Sequence, residues 1–373
     1  MSGAASAIET DSIHMRRALS LALRGWGHTA PNPMVGAVVV ADGDVVGEGY
    51  HPRYGDAHAE VMALNAARGR ARGATIYVSL EPCAHHGKTP PCVDAIIDAG
   101  IARVVAAVRD PSVVAGGGAD RLLQAGIRVD IGVERDAACE INAPFFHHAG
   151  GTERPWVTLK LAISADGAMA DPTGAHRWIT GDNSRREVHR MRAATDAIIV
   201  GIGTVLADDP SLTVRDAPAP RVAPQRIVFD STLRIPMNSA LVRSAREFDT
   251  RVVAGTSGVP VDKIGALVDA GVVVCMFGSI GDTLGVLHAD GVRSVLVEAG
   301  PRLAGSFLTD SLVDRLVIFR SPLVLGEQAP RAFAFAPKEF EASLSAHRVV
   351  ERRQFGDDVM TTYALQDVPC SPV

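Results

Sequence analysis

The residues best suited to chemistry stand close together in the order His58-Ala59-Glu60, then Glu81-Pro82-Cys83, then Cys92. One imidazole and two thiolates make a zinc donor set, and three protein ligands leave the fourth tetrahedral position for water. A glutamate two residues after the histidine is not a ligand in such sites. In such a place it would carry protons between the water, a ring nitrogen and a departing amine. Cys83 and Cys92 are separated by eight residues, where C-x-x-C is the commoner spacing. The segments carrying them are expected to open helices, whose N-termini favour thiolate over thiol. A structural zinc would need a fourth protein ligand, for which His85 or His86 is available, and would leave Glu60 without a task.

Nearby residues suggest what such a site would hold. Asn32-Pro33-Met34-Val35-Gly36 puts an amide beside the start of a strand, where it can read a base edge. His51 follows a glycine-containing strand end. His85-His86-Gly87-Lys88-Thr89 fills the stretch between the two cysteines with polar and cationic groups that suit a ribose phosphate. Each of these residues taken singly also fits an ordinary solvated loop.

The elements that must position them follow from periodicity. Residues 15–24 have helical spacing, with Leu19 and Leu23 four apart on one face. Pro31-Asn32-Pro33 ends that helix. Residues 35–40 form a buried strand, Asp42-Gly43 a hairpin turn, and 45–49 the returning strand. A helix over 58–68, a strand over 75–80, a helix over 92–99 with Gly100 at its C-cap, and a strand over 104–108 come next. A further helix–strand pair covers 121–125 and 129–132. This alternation implies a layered α/β domain.

A short polar, glycine-containing stretch at 149–154 marks a boundary. Beyond it, strands are expected at 156–163, 197–200, 226–229, 251–254, 272–276 and 294–297, with a helix at 184–192 and a Pro/Ala-rich surface loop at 216–224. Gly201-Ile202-Gly203 follows a strand, but Leu206 stands where a third glycine of a dinucleotide fingerprint would be, so the motif alone does not make a Rossmann fold. Residues 295–306 form a second strand–glycine–helix junction, whose backbone N–H groups can cradle a phosphate or can simply form a tight turn. The motifs of the two halves differ, and no internal repeat is evident.

Taken together, Asn32-Pro33-Met34-Val35-Gly36, His58-Ala59-Glu60 and the run from Glu81 to Cys92 resemble the bifunctional riboflavin-biosynthesis deaminase–reductases. The long cysteine spacing matches that family. Lys160 to Gly167, Trp178-Ile179-Thr180 and Gly203 to Arg215 resemble its reductase half, so the likeness runs from about Ile13 to Leu365. It implies a zinc cytidine-deaminase-like α/β/α domain over residues 8–148, followed by a dihydrofolate-reductase-like α/β domain over residues 153–367. The implied cofactors are Zn2+ and NADPH. The implied zinc ligands are His58, Cys83 and Cys92, with Glu60 as proton shuttle. Asn32, His51, His86 and Lys88 would meet the deaminase substrate. Ile163, Trp178, Thr204, Asp208, Ser231 and the loop Gly300, Pro301, Arg302, Leu303, Ala304, Gly305 and Ser306 would contact NADPH. Lys160, His176, Arg192, Ser211, Leu212, Arg215 and Glu298 would line the reductase substrate site, with Lys160 and Asp208 nearest the opened sugar. Arg192 and Arg215 suit a phosphate because guanidinium binds it bidentately.

The implied reactions are hydrolytic deamination of 2,5-diamino-6-(5-phosphoribosylamino)pyrimidin-4(3H)-one, then reduction of 5-amino-6-(5-phosphoribosylamino)uracil to the ribitylamino product. Two departures stand out. Ser112-Val113 replaces the family's Asn-Pro, and Ala299 replaces a glycine of Glu-Gly-Gly, adding a methyl near the cofactor loop. They leave open a chain with only one fully active half.

Composition sets the frame. The chain has 373 residues, and at ~150 residues per domain this suggests two domains. With 37 basic and 42 acidic residues the net charge is −5, so no broad basic field attracts nucleic acid. Small phosphoribosyl-pyrimidines are the expected partners, with no nucleic acid and no membrane. A homo-oligomer is implied by the resemblance. Five cysteines argue against a secreted disulfide framework and for a reducing cytoplasm, with Cys139, Cys275 and Cys370 as ordinary thiols. No targeting segment or membrane span is expected.

Overall fold

The computed structural model describes residues 2–112 and 114–370, and divides them into two compact units. The first comprises residues up to Thr152 together with the tail from Val368, and the second runs from Glu153 to Asp367.

In the first unit the chain order is α1 (Ser2–Ala22), β1 (Gly36–Ala41), β2 (Asp44–Tyr50), α2 (Ala59–Ala66), β3 (Thr75–Val78), α3 (Cys92–Asp98), β4 (Arg103–Ala106), α4 (Gly118–Gln124), β5 (Arg128–Ile131), α5 (Arg135–Ile141) and α6 (Ala143–Ala149). The five-stranded sheet runs β2-β1-β3-β4-β5. The β1–β2 hairpin is antiparallel, with Ala41 paired to Asp44, and turns on Asp42 (φ 52°) and Gly43 (φ 88°). Two positive φ values in a two-residue loop explain why the sequence reads Asp-Gly there. β1 also pairs antiparallel with β3, whereas β3, β4 and β5 are parallel.

Alternation along the strands feeds two cores. Ala37, Val39, Ile76, Val78 and Val104 pack with Ala59 and Ala63 of α2, Val93 and Ile96 of α3, and Leu122 of α4. Val38, Tyr77 and Val105 point the other way, onto Met15, Ala18 and Leu19 of α1, Ala138 of α5 and Phe146 of α6. The sheet is thus covered on both faces, as the α/β/α expectation requires. The buried stripe of α1 is Met15, Ala18, Leu19 and Ala22, spaced i, i+3, i+4, i+7. Leu23 is 42% exposed: the α-helix ends at Ala22 and a 3-10 turn over Leu23–Gly25 swings it off the apolar face.

The tail brings a second correction. Cys139 and Cys370 form a disulfide with Cα atoms 6.2 Å apart, within the usual range for such a bond. Their separation by 231 residues leaves no sequence pattern, so they are not the ordinary thiols expected. Val368 and Cys370 pack against the same core as α1, α5 and α6.

In the second unit the order is β6 (Trp156–Ile163), α7 (Asp182–Ala193), β7 (Ala197–Gly201), α8 (Ile202–Asp208), β8 (Gln225–Phe229), α9 (Ala240–Arg243), β9 (Thr250–Ala254), α10 (Val261–Asp269), β10 (Val273–Met276), α11 (Ile280–Ala289), β11 (Ser294–Val297), α12 (Pro301–Thr309), β12 (Arg315–Arg320), α13 (Phe340–Ser343), β13 (Arg348–Phe355) and β14 (Asp358–Ala364). They build a nine-stranded sheet, β10-β9-β8-β7-β11-β6-β12-β14-β13. All neighbours from β10 through β12 are parallel, and β14 and β13 add an antiparallel edge. One core gathers alternate residues of β6 with α11 and α12, including Leu159, Leu161, Leu284 and Phe307. Another packs Ile198, Val200, Val228 and Val252 against Leu241 and Leu267. Among the described residues, no helix is long and apolar enough to cross a membrane.

Candidate active sites

The first site forms where α2 and α3 begin. His58 is the N-cap of α2, and Cys92 is the first residue of α3. Cys83, expected to open a helix too, lies instead in the loop after β3. That loop is fixed from two sides: Val93 N–H donates to Cys83 O, and Ala84 N–H to Ala115 O. The extra residues between the cysteines form an exposed excursion that returns Cys92 to Cys83, whose Sγ accepts from the Cys92 N–H at 3.4 Å.

The three donor atoms lie within 4.8 Å of one another, the one such metal-competent group among the described residues. His58 Nδ1 is 3.2 Å from Cys92 Sγ and 3.5 Å from Cys83 Sγ. Its other nitrogen, Nε2, lies 3.4 Å from Thr89 Oγ1, which leaves Nδ1 for a metal and orients the ring from behind. The hydrogen bond from Cys92, helped by His58, pulls the Cys83 thiol well below its ordinary range. Cys92 is pushed up by its bond to Cys83 and by burial. A thiolate, a second sulfur and a backed imidazole facing one point fit zinc, and among the described residues no fourth ligand joins them. Glu60, in the first turn of α2, is 3% exposed, and burial raises its carboxyl to about 7. It can therefore both take and give a proton near neutrality.

A cavity of about 410 Å³ opens over this group. Its lining includes Asn32, His51 and Lys88 as expected. His51 is held in one state: burial lowers its pKa, and its Nδ1–H donates to Ala57 O at 3.1 Å. Nε2 then carries a lone pair and accepts from Asn32 Nδ2 at 3.2 Å. That bond fixes the Asn32 amide, leaving its Oδ1 free to accept from a ring N–H or amine. Lys88 stands 4.1 Å over the Tyr54 ring, a cation–π contact that holds the ammonium at the cavity wall.

His86 is exposed and lies outside the lining; the structure places His85 there instead, with its buried Nδ1 unpartnered. The two neighbours read alike in sequence, and only the turn of the loop separates them. Glu81, which the sequence reading quoted without a role, and Asp110 and Phe145, which it did not single out, also line the cavity. Glu81 accepts the N–H groups of Asp110 (3.0 Å) and Ala119 (2.8 Å), tying the following loop to the cysteine segment. Burial raises the Asp110 carboxyl to about 6. In that loop Ser112 Oγ accepts from the N–H groups of Val114 and Ala115, so Ser112 serves as a turn former; Val113 lies outside the described residues.

The second site lies along one sheet edge. β8, β7, β11 and β6 are adjacent and parallel, so Phe229, Gly201, Val297 and Ile163 all end on the same side. In open α/β sheets that is where nucleotides bind. Thr204 follows β7, Ser231 follows β8, and Gly300 follows β11. Gly300 is the N-cap of α12, with Pro301 first and open space where a Cβ would be. The half-buried helix start, with the Arg302 and Leu303 amides free of an intrahelical partner, fits a phosphate group of NADPH. Trp178 is 56% exposed and flanked by the guanidinium groups of Arg177 (5.2 Å) and Arg185 (5.1 Å).

Three expected cofactor contacts, Ile163, Ala304 and Gly305, are buried in this structure. Ala304 and Gly305 are buried by the turn of α12, and a Cβ on Gly305 would meet the Phe335 backbone at 2.3 Å. The run 300–306 is thus a helix start with its last turn in the core, not a loop. Ile163 is wholly buried, and its carbonyl accepts from Ser321 N–H. Ala299 is buried as well, so the extra methyl is absorbed by the core.

Behind the edge sits a charged cluster. Arg192 of α7 grips Glu298 with two bonds, Nε to Oε1 at 2.5 Å and Nη2 to Oε2 at 3.0 Å. Lys160 Nζ is 3.9 Å from Glu298 Oε2. Burial opposes the Glu298 charge, yet Arg192 and Lys160 outweigh it and hold the carboxyl at about 2. Burial lowers the Lys160 ammonium. Arg192 Nη1 also donates to Thr213 O at 3.1 Å, and Arg215 bonds Ser211 Oγ and, at 3.3 Å, Thr213 Oγ1. These contacts bring Lys160, Arg192, Ser211, Arg215 and Glu298 into one connected group. Leu212 differs: its φ of 51° turns the side chain into the core, where it is 3% exposed. His176 lies in an exposed turn, bound to Asp171 through Nδ1 at 2.9 Å. Asp208 stands at the exposed end of α8.

Comparisons with known proteins bear on both units. The family model of the cytidine and deoxycytidylate deaminase zinc-binding region matches residues 8–108, and that of the RibD C-terminal domain matches residues 155–361. The riboflavin biosynthesis protein RibD of Escherichia coli is 41% identical over 367 residues, covering 94% of this chain and 98% of its own. That of Aquifex aeolicus is 44% identical over 322 residues, covering 86% and 89%. Among solved structures, Acinetobacter baumannii RibD (form 1) superposes with a TM-score of 0.79 at 36% identity, covering 96% of this chain and 99% of that one. A diaminohydroxyphosphoribosylaminopyrimidine deaminase/5-amino-6-(5-phosphoribosylamino)uracil reductase from Thermotoga maritima gives 0.80 at 34% identity, with the same coverage.

Proposed function

The chain belongs to the RibD family of riboflavin biosynthesis proteins, and from that premise we propose how its residues divide the family's two reactions. It is a bifunctional enzyme, a zinc-dependent deaminase followed by an NADPH-dependent reductase. The first reaction removes an amino group hydrolytically from 2,5-diamino-6-(5-phosphoribosylamino)pyrimidin-4(3H)-one. The second reduces the resulting 5-amino-6-(5-phosphoribosylamino)uracil to its ribitylamino form. The observation that carries the first assignment is the convergence of His58, Cys83 and Cys92 beside a buried Glu60 under one cavity.

In the first site His58, Cys83 and Cys92 hold zinc, which when bound makes a water nucleophilic at neutral pH. Glu60 carries one proton from the attacking water to the ring nitrogen and a second, from the new hydroxyl, to the departing amine, which leaves as ammonia, a role its raised carboxyl pKa suits. Asn32 Oδ1 reads the base edge, with His51 fixing the amide. Lys88 faces the ribose phosphate, and His85 takes the place first given to His86.

In the second site the edge formed by Trp178, Thr204, Asp208, Ser231, Gly300, Pro301, Arg302, Leu303 and Ser306 receives NADPH, which when bound supplies a hydride. The substrate opens from ribosylamine to imine, C1′ accepts that hydride, and the imine nitrogen takes up a proton from solvent to give the amine. Arg192 and Arg215 bind its phosphate, Glu298 keeps Arg192 aligned, and Lys160 lies nearest the opened sugar. Small phosphoribosyl-pyrimidines are its partners. Phosphorylated substrates and reduced nicotinamide support a cytoplasmic location, and self-association is read from the family likeness.

The test is a coupled assay on the zinc-loaded full chain with the diamino substrate and NADPH. Ammonia release followed by loss of nicotinamide absorbance is expected. Nicotinamide loss with added aminouracil substrate but no ammonia from the diamino compound would refute the first half; the reverse would refute the second.

A further inference from the structure

We propose that Asn142, at the junction of α5 and α6, is a positioning residue that fixes the base-reading loop of the deaminase site. The inference rests on the reading of Asn32 as a substrate contact. Asn142 is 4% exposed and is not part of the cavity lining. Its amide closes on the backbone of one residue: Met34 N–H donates to Oδ1 at 2.8 Å, and Nδ2–H donates to Met34 O at 2.9 Å. This is the paired pattern that a neighbouring strand makes across an antiparallel ladder, here supplied by a side chain.

The segment needs it. Met34 lies just ahead of β1, and Pro31 and Pro33 on either side of Asn32 have no N–H to anchor the chain. Asn32 N–H reaches only back to Thr29 O, and Val35 O accepts from His51 N–H. Between those two ties, both backbone polar groups of Met34 go to Asn142. The same turn sets another part of the wall, because Phe145 N–H bonds Asn142 O at 2.9 Å and Phe145 lines the cavity. The clamp requires one donor and one acceptor at fixed spacing. Alanine leaves Met34 N–H and C=O unpartnered, and aspartate sets a carboxylate oxygen against the Met34 carbonyl.

The experiment compares ammonia release by the zinc-loaded full chain in the wild type, Asn142→Ala, Asn142→Asp, Asn32→Ala and the Asn32→Ala/Asn142→Ala double variant. Both Asn142 variants are expected to raise KM for the diamino substrate about tenfold or more, with kcat held within about twofold. Zinc content and NADPH oxidation with the aminouracil substrate stay at the wild-type level. The double variant is expected to match Asn32→Ala alone, since both changes remove one contact. Should Asn142→Ala lose zinc, Asn142→Asp, which keeps the side-chain volume, carries the comparison. A raised KM in Asn32→Ala with unchanged KM in the Asn142 variants overturns the clamp alone, as does full additivity in the double variant. An unchanged KM in Asn32→Ala overturns the substrate reading itself.

Discussion

In the first unit three donor atoms lie within 4.8 Å of one another, on two helix starts and one loop, under a cavity of about 410 Å³. In the second unit the proposed contacts are strung along the ends of four parallel strands, and only the Arg192–Glu298–Lys160 cluster is compact. The difference follows from what each must hold. A metal ion demands particular side chains at fixed distances, whereas a dinucleotide is held largely by backbone amides, small residues and helix starts that many sequences can provide. A concentrated site fails at one residue; a distributed one weakens by degrees.

The sharpest way to break that contrast is Glu60→Gln. Deamination is expected to fall by about 10²–10⁴, with zinc retained and NADPH oxidation unchanged; ammonia release at a near wild-type rate would remove Glu60 from the chemistry. Next comes Glu298→Ala, which strands two buried cations. Unpairing a buried charge costs about 3–5 kcal/mol, so the denaturant midpoint of the second unit is expected to drop while metal content is unaltered. An unmoved midpoint would show the cluster to be solvated.

The same carboxylate gives a pH signature. Its folded value of about 2 lies below its ordinary 4.5. Its contribution to stability is therefore complete above about pH 4.5 and lost as pH falls from there towards 2. Glu298→Gln is expected to flatten this acid limb, and an identical limb in the variant would assign it to other groups. The smallest effect belongs to Arg215→Ala on the distributed site. KM for the phosphorylated aminouracil is expected to rise about tenfold, worth ~1.4 kcal/mol, with no change for a dephosphorylated analogue. An equal loss on both would show that Arg215 does not meet the phosphate.

What could be read from residues alone tracks the same contrast. His58, Glu60, Cys83 and Cys92 were legible because few other tasks ask for those types in that order. The Asp42-Gly43 hairpin and the strands around it were legible because turn chemistry and alternation are local. Asn142 was not: its partner is Met34, 108 residues away, and nothing near it in sequence distinguishes it from a helix-end asparagine. His85 and His86 have the same chemistry, and only the path of the loop decides which one enters the cavity. Ala304 and Gly305 look like cofactor-loop residues until the helical turn carries them into the core. β12, β13 and β14 went unread because no chemical motif drew attention to them. Leu23 was misplaced because the helix tightens one residue earlier.

The last described residues have a consequence for how this protein can be taken apart. Val368 and Cys370 complete the apolar surface beside α1, α5 and α6, and Arg135 donates to Cys370 O. A fragment ending at Thr152 would retain every zinc donor yet expose greasy surface that the missing tail normally shields, inviting clumping. The amino-terminal enzyme is discontinuous in the gene: its final stitches are encoded after its neighbour.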